Sequence, residues 1–488
     1  MKYLLGAGIA LLCSPLAASH AQESDAAPDI PDRCLGLGAR IDGAYKGVFY
    51  DNDFGYLDDP CLPDIDSRDP VTRLSDMLKN IEIAGPIRLS LGGEARIRFH
   101  NEDGIGLSRL DGLDNDFVLS RVRAYADIEI TEYFRGFVEV IDARQAGTDL
   151  PSRGIEVVRG DVLNGFAEVG APLGEGRVYL RGGRQELLFG AQRLVSPLNW
   201  GNTRRSFDGV RGGYVDDDLA VNAWFVNPRV IDGRSSRRQE KADFSGLHAT
   251  WTGLPGQTVE AYAYNLDRDD PLTPQSNVWT LGGRLTGRLG WALYDFEGAA
   301  QTGTAGSDDV SAGMVALGVG ADFRAIADLP ATLWLYYDLA TGDGDPDDGK
   351  QGTFDQLFPL AHAWLGFMDL VGRQNIEAVS AKLTVTPLPK LRLFAAIHSF
   401  RLAEKTDALY NAGGAAIRID PTGKAGSHVG EEIDITARLS PLRWLTLEIG
   451  YSRFFGGRFI ARTQPIGRNG ANIGDNADFF YSQAVVRF

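Results

Sequence analysis

Long apolar runs are missing from this 488-residue chain. After residue 16 nothing approaches the roughly 20 consecutive apolar residues that a membrane-spanning helix requires, and mean hydropathy is −0.16. Spanning helices are therefore excluded; spanning strands, which alternate apolar with polar residues, are not. Positive charge is also short: 49 Lys and Arg stand against 65 Asp and Glu, a net −16. That balance excludes nucleic acid as a partner, since phosphate binding needs basic residues clustered on an accessible face. Histidine is scarce, and the six present (His20, His100, His248, His362, His398, His428) do not cluster. The nearest approach to a nucleophile and its base is His398-Ser399, but successive strand residues face opposite ways, so no enzyme is expected.

Cysteine is almost absent too. Cys13 falls in the first 21 residues, where Lys2, an apolar run from Tyr3 to Leu12 and small residues ending Ser19-His20-Ala21 have the layout of a secretory leader cut before Gln22. Leu11-Leu12 before Cys13 is a poor lipid-attachment box. Cys34 and Cys61 would remain, and in an oxidising compartment they are expected to form a disulfide; their spacing is not that of a metal site.

What is present is alternation with a period of two. Leu89, Leu91, Gly93, Ala95, Ile97 and Phe99 interleave with Arg88, Ser90, Gly92, Glu94, Arg96 and Arg98. Val118, Val122, Ala124, Ala126, Ile128 and Ile130 likewise oppose Arg121, Arg123, Tyr125, Asp127 and Glu129. About eighteen such strands (sixteen to twenty) can be placed between residues 87 and 488. Short connections fall near 131–134, 172–176, 216–218, 253–257, 289–290, 324–329, 386–390 and 440–442. Long acidic or Gly-rich loops near 101–116, 146–160, 189–207, 229–241, 267–276, 302–310, 341–373, 402–429 and 457–476 alternate with them. That regularity predicts an all-β transmembrane, antiparallel up-and-down barrel set in outer-membrane lipid, with an aqueous lumen. The chain ends on Phe488, in phase with Val486, Ala484, Ser482 and Phe480. This resembles the terminal strand of bacterial outer-membrane barrels, where a final Phe is part of the signal read by the barrel assembly machinery.

Residues 22–86 do not alternate. Rich in Asp, Pro and Gly, with a helix expected over Val71 to Asn80, they suit either a periplasmic appendage open to periplasmic partners or a plug inside the barrel. Asp343, Asp345 and Asp347 place carboxylates at alternate positions of one loop, a weak Ca²⁺ pattern that would be structural; no other cofactor is expected. Arg234, Arg237, Arg238 and Lys241 make a basic loop able to meet anionic lipid. Residues 353–371 are apolar for a loop and either fold inward as a constriction or pack on the rim.

Two stretches carry a family likeness. The run Leu180-Arg181-Gly182-Gly183-Arg184-Gln185-Glu186-Leu187-Leu188-Phe189-Gly190-Ala191-Gln192-Arg193-Leu194, followed by Trp200-Gly201-Asn202-Thr203-Arg204-Arg205-Ser206-Phe207-Asp208-Gly209-Val210-Arg211, resembles the signature hairpin of the alginate export family. Tyr45 to Phe54 with Leu57-Asp58-Asp59-Pro60 resembles the leader of one branch. The resemblance implies an outer-membrane barrel, of eighteen strands in the best-known member, that secretes an anionic polysaccharide past a constriction lined by arginines and lysines. Here Arg184 matches, but Glu186 stands where the exporter has an arginine, which would repel an anionic polymer. Expected lumen residues mix signs: Arg96, Arg98, Arg121, Arg123, Arg184 and Arg438 beside Glu94, Asp127, Glu129, Glu186, Asp434 and Glu448; a bulge at Gly182-Gly183 would leave the facing of Arg184 and Glu186 open. The expected function is a passive channel for a polar or anionic solute or polysaccharide. A plugged barrel that binds a small or apolar compound is the alternative.

Overall fold

In hydrocarbon every backbone N–H and C=O must find a partner, so two-faced strands have to close into a ring. The computed structural model describes residues 37–488 except 63, 65–66, 106–109, 240, 270–274 and 468–475. It shows a closed ring of eighteen antiparallel strands. The first nine are β1 (Ile87–Asp103), β2 (Asn115–Thr131), β3 (Phe134–Ala146), β4 (Val158–Leu173), β5 (Gly176–Gln185), β6 (Phe207–Val215), β7 (Leu219–Asp232), β8 (Ala242–Trp251) and β9 (Gln257–Arg268). The second nine are β10 (Ser276–Leu289), β11 (Ala292–Ala305), β12 (Asp308–Asp322), β13 (Ala331–Ala340), β14 (Ile376–Leu388), β15 (Leu391–Arg401), β16 (His428–Leu442), β17 (Leu445–Gly456) and β18 (Asn476–Arg487).

Closure runs through β1 and β18, from Glu94 opposite Arg487 to Asp103 opposite Asp478. Beyond the last strand residue, Phe488 N donates to Gly93 O at 3.1 Å and Gly93 N to Phe488 O at 2.8 Å. The final residue is thus tied to the first strand. The alternation falls as the sequence suggests. Ile97, Val122, Val138, Leu335, Val379 and Ile435 are exposed on the outer face, while Glu94, Arg96, Arg98, Arg121 and Arg123 are buried inside.

Short and long connections alternate, with one correction. The loop expected near 302–310 is only a tight turn at Ser307 and Gly306 (φ 63°) between β11 and β12, which pair from Ala292–Ala321 to Ala305–Asp308. Thr302 and Thr304 continue the two-residue alternation, so their polarity reflects the outer rim of a strand. Over 229–241, too, a short hairpin strand, Ser235–Arg238, pairs back onto the end of β7.

A ring of this width is too broad for wall side chains to fill. Two long connections fold into it. Residues 186–206, between β5 and β6, touch opposite walls: Arg193 reaches Asp295 and Glu297 of β11, while residues 199–201 lie against β1 and β2. Residues 352–375, between β13 and β14, join them. Phe358 N donates to Leu194 O at 2.8 Å and Ser196 N to Phe358 O at 2.9 Å. The apolar stretch at 353–371 therefore folds inward: Phe354, Leu365, Met368 and Val371 are buried with Leu187, Leu194 and Val195.

The segment ahead of the barrel enters it from the short-turn end. Helix α1 (Leu37–Asp42) leads to Val48, Phe49 and Tyr50, which pack on Tyr125, Phe137 and Phe166 of the inner wall. Helix α2 (Pro70–Met77) is capped by Asp69, whose side chain accepts from Val71 N and Thr72 N. Its apolar Leu74 is exposed; the face it buries is Thr72, Ser75 and Asp76. Asp76 accepts from Tyr56 Oη at 2.7 Å and from Arg443 in the β16–β17 turn, so ionic contacts, not an apolar stripe, dock this helix.

The outer face should behave as a lipid surface. Replacing exposed Val122 by Arg should cost about 2–4 kcal/mol, the midplane cost for a transmembrane barrel, read from urea titration of folding into lipid vesicles. An unchanged midpoint would mean that this face does not meet hydrocarbon.

Candidate functional site

Folding a chain segment across a lumen brings backbone carbonyls into the interior, and each needs a donor. Wall arginines supply them. Arg96 donates to Asn199 O at 3.0 Å and Gly201 O at 2.7 Å. Arg121 donates to Gly201 O at 3.0 Å and Arg98 to Trp200 O at 2.9 Å. Three consecutive carbonyls are thus held by adjacent strands β1 and β2, with Arg98 also 3.8 Å over the Trp200 ring. On the other crossing segment, Lys382 donates to Ala363 O and Trp364 O at 3.0 and 3.1 Å, and Arg373 pairs with Asp338 at 2.6 Å.

The expected lumen residues divide into four groups. Glu94, Arg96, Arg98, Arg121, Arg438 and Glu448 border a cavity of about 510 Å³ between the crossing segments and the short-turn end. Their order follows from register: Arg392 is opposite Arg438, Arg438 opposite Glu448, Glu448 opposite Gln483 and Gln483 opposite Arg98. This belt crosses five strands. Arg438 pairs with Glu448, and Glu94 takes Arg121 at 2.5 Å and Arg487 at 3.1 Å.

Arg123, Glu186 and Asp434 are sealed away from that cavity. Arg123 pairs with Glu139 at 2.6 Å and lies 3.9 Å over Phe49. Glu186 is fully buried, bound by Arg204 and by Asn164 at 2.9 Å. The repulsion expected of Glu186 toward a passing anion is corrected by this pairing: the carboxylate is neutralised inside the protein, and the residue that answers it, Arg204, lies in the same motif. Asp434 accepts from Phe367 N, and beside it Glu432 accepts from Met368 N at 2.9 Å. Together they anchor the second crossing segment.

Asp127 and Glu129 stand in the inward phase near the short-turn mouth, Asp127 in a bidentate pair with Arg135 (2.8 and 2.6 Å). Arg184 is misplaced by the sequence reading. It shares the outward phase of Leu180, which is exposed, and binds Asp208 and Asp161 at 2.8 and 3.3 Å. Gly183 has φ 133°, yet the pairing of β5 with β4 and β6 is continuous, so no bulge turns Arg184 inward.

The Ca²⁺ pattern is also corrected. Asp345 N donates to Asp343 and Asp347 N to Asp345, both at 3.2 Å, so the first two carboxylates cap backbone N–H groups within their own loop. Among the described residues no group of three metal-ligating side chains converges. Cys61 is disulfide-bonded; Cys34 lies outside the described residues. In the basic loop, Arg237 pairs with Asp232 at 2.9 Å at the long-loop end.

His398 has a different neighbour from the adjacent Ser399. Across the β14–β15 pair, Ser380 Oγ is 2.7 Å from His398 Nδ1, and His398 Nε2 is 3.3 Å from Asp434. All three are buried beneath the second crossing segment.

The sequence reading missed Arg392, Arg487, Arg193 and the aromatic residues of the cavity. For Arg392 a signal existed: it shares its phase with Phe394 and His398 on β15. Arg487 carried one too, in the polar phase of Tyr481 and Gln483 on β18; Arg193 and Trp200 depend on contacts between distant segments.

The sequence model of the family described as alginate export matches residues 87–473. The chain belongs to the alginate export family. No curated protein matches it. Among solved structures it is similar to the outer membrane protein OprD from Pseudomonas aeruginosa (12% identity, TM-score 0.51, covering 84% of this chain and 96% of that one). It is also similar to OpdO from Pseudomonas aeruginosa (13%, TM-score 0.53, 82% and 97%) and to OccAB2 from Acinetobacter baumannii (12%, TM-score 0.52, 82% and 98%). At such identity the likeness is one of fold. An alginate export barrel sits in the outer membrane, where short turns face the periplasm and long loops face outward. The arginine-bordered cavity therefore lies on the periplasmic side.

Breaking the Glu186–Arg204 pair should expose the cost of a lone buried charge. Arg204→Met should lower stability by about 3–5 kcal/mol, and Glu186→Leu with Arg204→Met should recover most of it, read by urea denaturation. Equal losses in both variants would mean that the charge pair is not the cause.

Burial lowers the Lys79 amine to about 8 from 10.5, with Asp76 opposing and Arg443 adding to the fall. Between those values the unfolded chain holds more protons than the folded one, so stability rises with pH across that window. Hydrogen exchange of residues 47–57 should slow as pH rises through about 8 toward 10.5, after correction for intrinsic rates, and Lys79→Met should abolish that trend. A trend that persists in the variant would assign it elsewhere.

Proposed function

We propose that this protein is a passive outer-membrane channel for small anionic solutes. The observation that carries the reading is the charge of the periplasmic cavity. Six arginines (Arg96, Arg98, Arg121, Arg392, Arg438, Arg487) border it against two glutamates, Glu94 and Glu448, in a chain of net charge −16. Rings of arginine select anions because a guanidinium replaces part of the solute's hydration and sets the sign of the local potential. The volume suits a small molecule; a polymer such as alginate would have to displace the crossing segments. Residues 1–21 would direct export, and Phe488 would be read by the assembly machinery. Asp434 accepts from Phe367 N of the second crossing segment, and Ser380, His398 and Asp434 perform no chemistry in this reading.

A plugged barrel that binds rather than conducts is favoured by one observation, the packing of Val48, Phe49 and Tyr50 on the inner wall. Planar-bilayer recording separates the two. The channel reading predicts conductance steps and an anion-selective reversal potential in a salt gradient, shifted toward cations in Arg392→Gln with Arg438→Gln. Absence of steps until residues 22–62 are removed would favour the plug, and cation selectivity in the unaltered protein would contradict the proposal.

A further inference from the structure

The periplasmic cavity has a second chemical feature besides its charge. Trp200 and His362, one from each crossing segment, stack at 3.6 Å between centroids and 12° between planes. His362 stacks on Phe367 at 4.5 Å and 13°, and Phe367 on Phe394 at 5.5 Å and 16°. All four rings border the cavity. They form a ladder of nearly parallel rings that ends on β15 at Phe394. Two residues along the same face stands Arg392.

Arg392 makes no hydrogen bond or ion pair among the described residues. Its cross-strand neighbour is Arg438, and like charges directly opposite are destabilising. Arg438 has Glu448; Arg392 has no carboxylate of its own. The other polar groups around the cavity are largely engaged. Gln483 accepts from Arg98, Asn199 from Arg121, Ser440 is paired with Thr446, and Glu448 also accepts from Tyr481. Few groups remain to bind a ring of hydroxyls. The open valences are the whole guanidinium of Arg392, the outer nitrogens of Arg438 and Arg487, whose pairs use Nε, the Thr436 hydroxyl and the end of an aromatic stack.

We propose that this cavity is a binding site for a small planar aromatic carboxylate. The ring extends the ladder at its free end, Phe394, in an offset stack, and the carboxylate takes the fork of Arg392, with Arg438 beside it. The ligand's negative charge relieves the Arg392–Arg438 repulsion, so binding and wall stability are coupled. This inference rests on the reading of the cavity as part of an anion path and narrows its solute class.

The test is isothermal titration of the purified full-length barrel in detergent with benzoate, cyclohexanecarboxylate, D-glucuronate and benzyl alcohol. Benzoate should bind roughly tenfold or more tightly than each of the other three, the scale of one stacking or charge-assisted contact. Arg392→Gln should weaken benzoate roughly tenfold with little effect on benzyl alcohol, and Phe394→Leu should erase the preference over cyclohexanecarboxylate. Thermal melting in detergent checks that both variants fold. If they do not, benzoate should still raise the melting temperature of the unaltered protein and cyclohexanecarboxylate should not. Equal binding of cyclohexanecarboxylate or glucuronate would overturn the inference, as would no benzoate binding. Anion-selective conductance without benzoate binding would sink this inference alone; benzoate binding without anion selectivity would sink the proposed channel and leave the site.

Discussion

Everything else follows from the need to pair backbone groups in hydrocarbon. That need forces eighteen two-faced strands into a ring, closed by β1 against β18 and by the paired hydrogen bonds of Gly93 with Phe488. A ring so wide leaves an interior that wall side chains cannot fill, and the chain occupies it with its own connections. Those connections carry carbonyls inward, which water would otherwise have to satisfy. Arg96, Arg98 and Arg121 hold the carbonyls of 199–201, and Lys382 those of 363 and 364. The arginines of the inner wall are therefore first of all structural. Where they exceed the carboxylates and carbonyls available, as at Arg392, a positive surface is left over.

This explains why an acidic protein can hold a cationic cavity. The acid lies mostly in loops, while inside the wall many carboxylates are met by arginines: Glu186 by Arg204, Glu139 by Arg123, Asp338 by Arg373, and Asp295 and Glu297 together by Arg193. Removing one partner from such a buried pair costs far more than the pair contributes, because the remaining charge stays in a poorly solvating interior. Net charge is thus a poor guide to the potential along the passage. The sign there is set by the few side chains left unmatched.

The barrel was legible because strand alternation has a fixed period and the lipid face tolerates little polarity. Ile97 and Val122 outside, with Arg96 and Arg121 inside, could be read directly from 88–99 and 118–130. The alternation of short and long connections gave the strand number. What could not be read were contacts between segments far apart in sequence: Arg96 with Gly201, Arg193 with Glu297, Arg418 with Leu110. No local pattern encodes them. The apolar content of 353–371 indicated burial but not the wall it would meet. Arg184 was assigned to the lumen by motif likeness, whereas continuous pairing keeps it outside. The aspartates at 343–347 looked like ligands because spacing in sequence says nothing about convergence in space.

The central claim, that the periplasmic half of the lumen is an open cavity of positive potential beneath two crossing segments, is tested most directly by chemical access. A cysteine placed at Thr446, which borders the cavity, in barrels reconstituted with known orientation, can be challenged with anionic and cationic thiol reagents from each side. Faster reaction with the anionic reagent, applied from the periplasmic side, is the predicted result. Faster reaction with the cationic reagent, or access only from the outer side, would contradict the account.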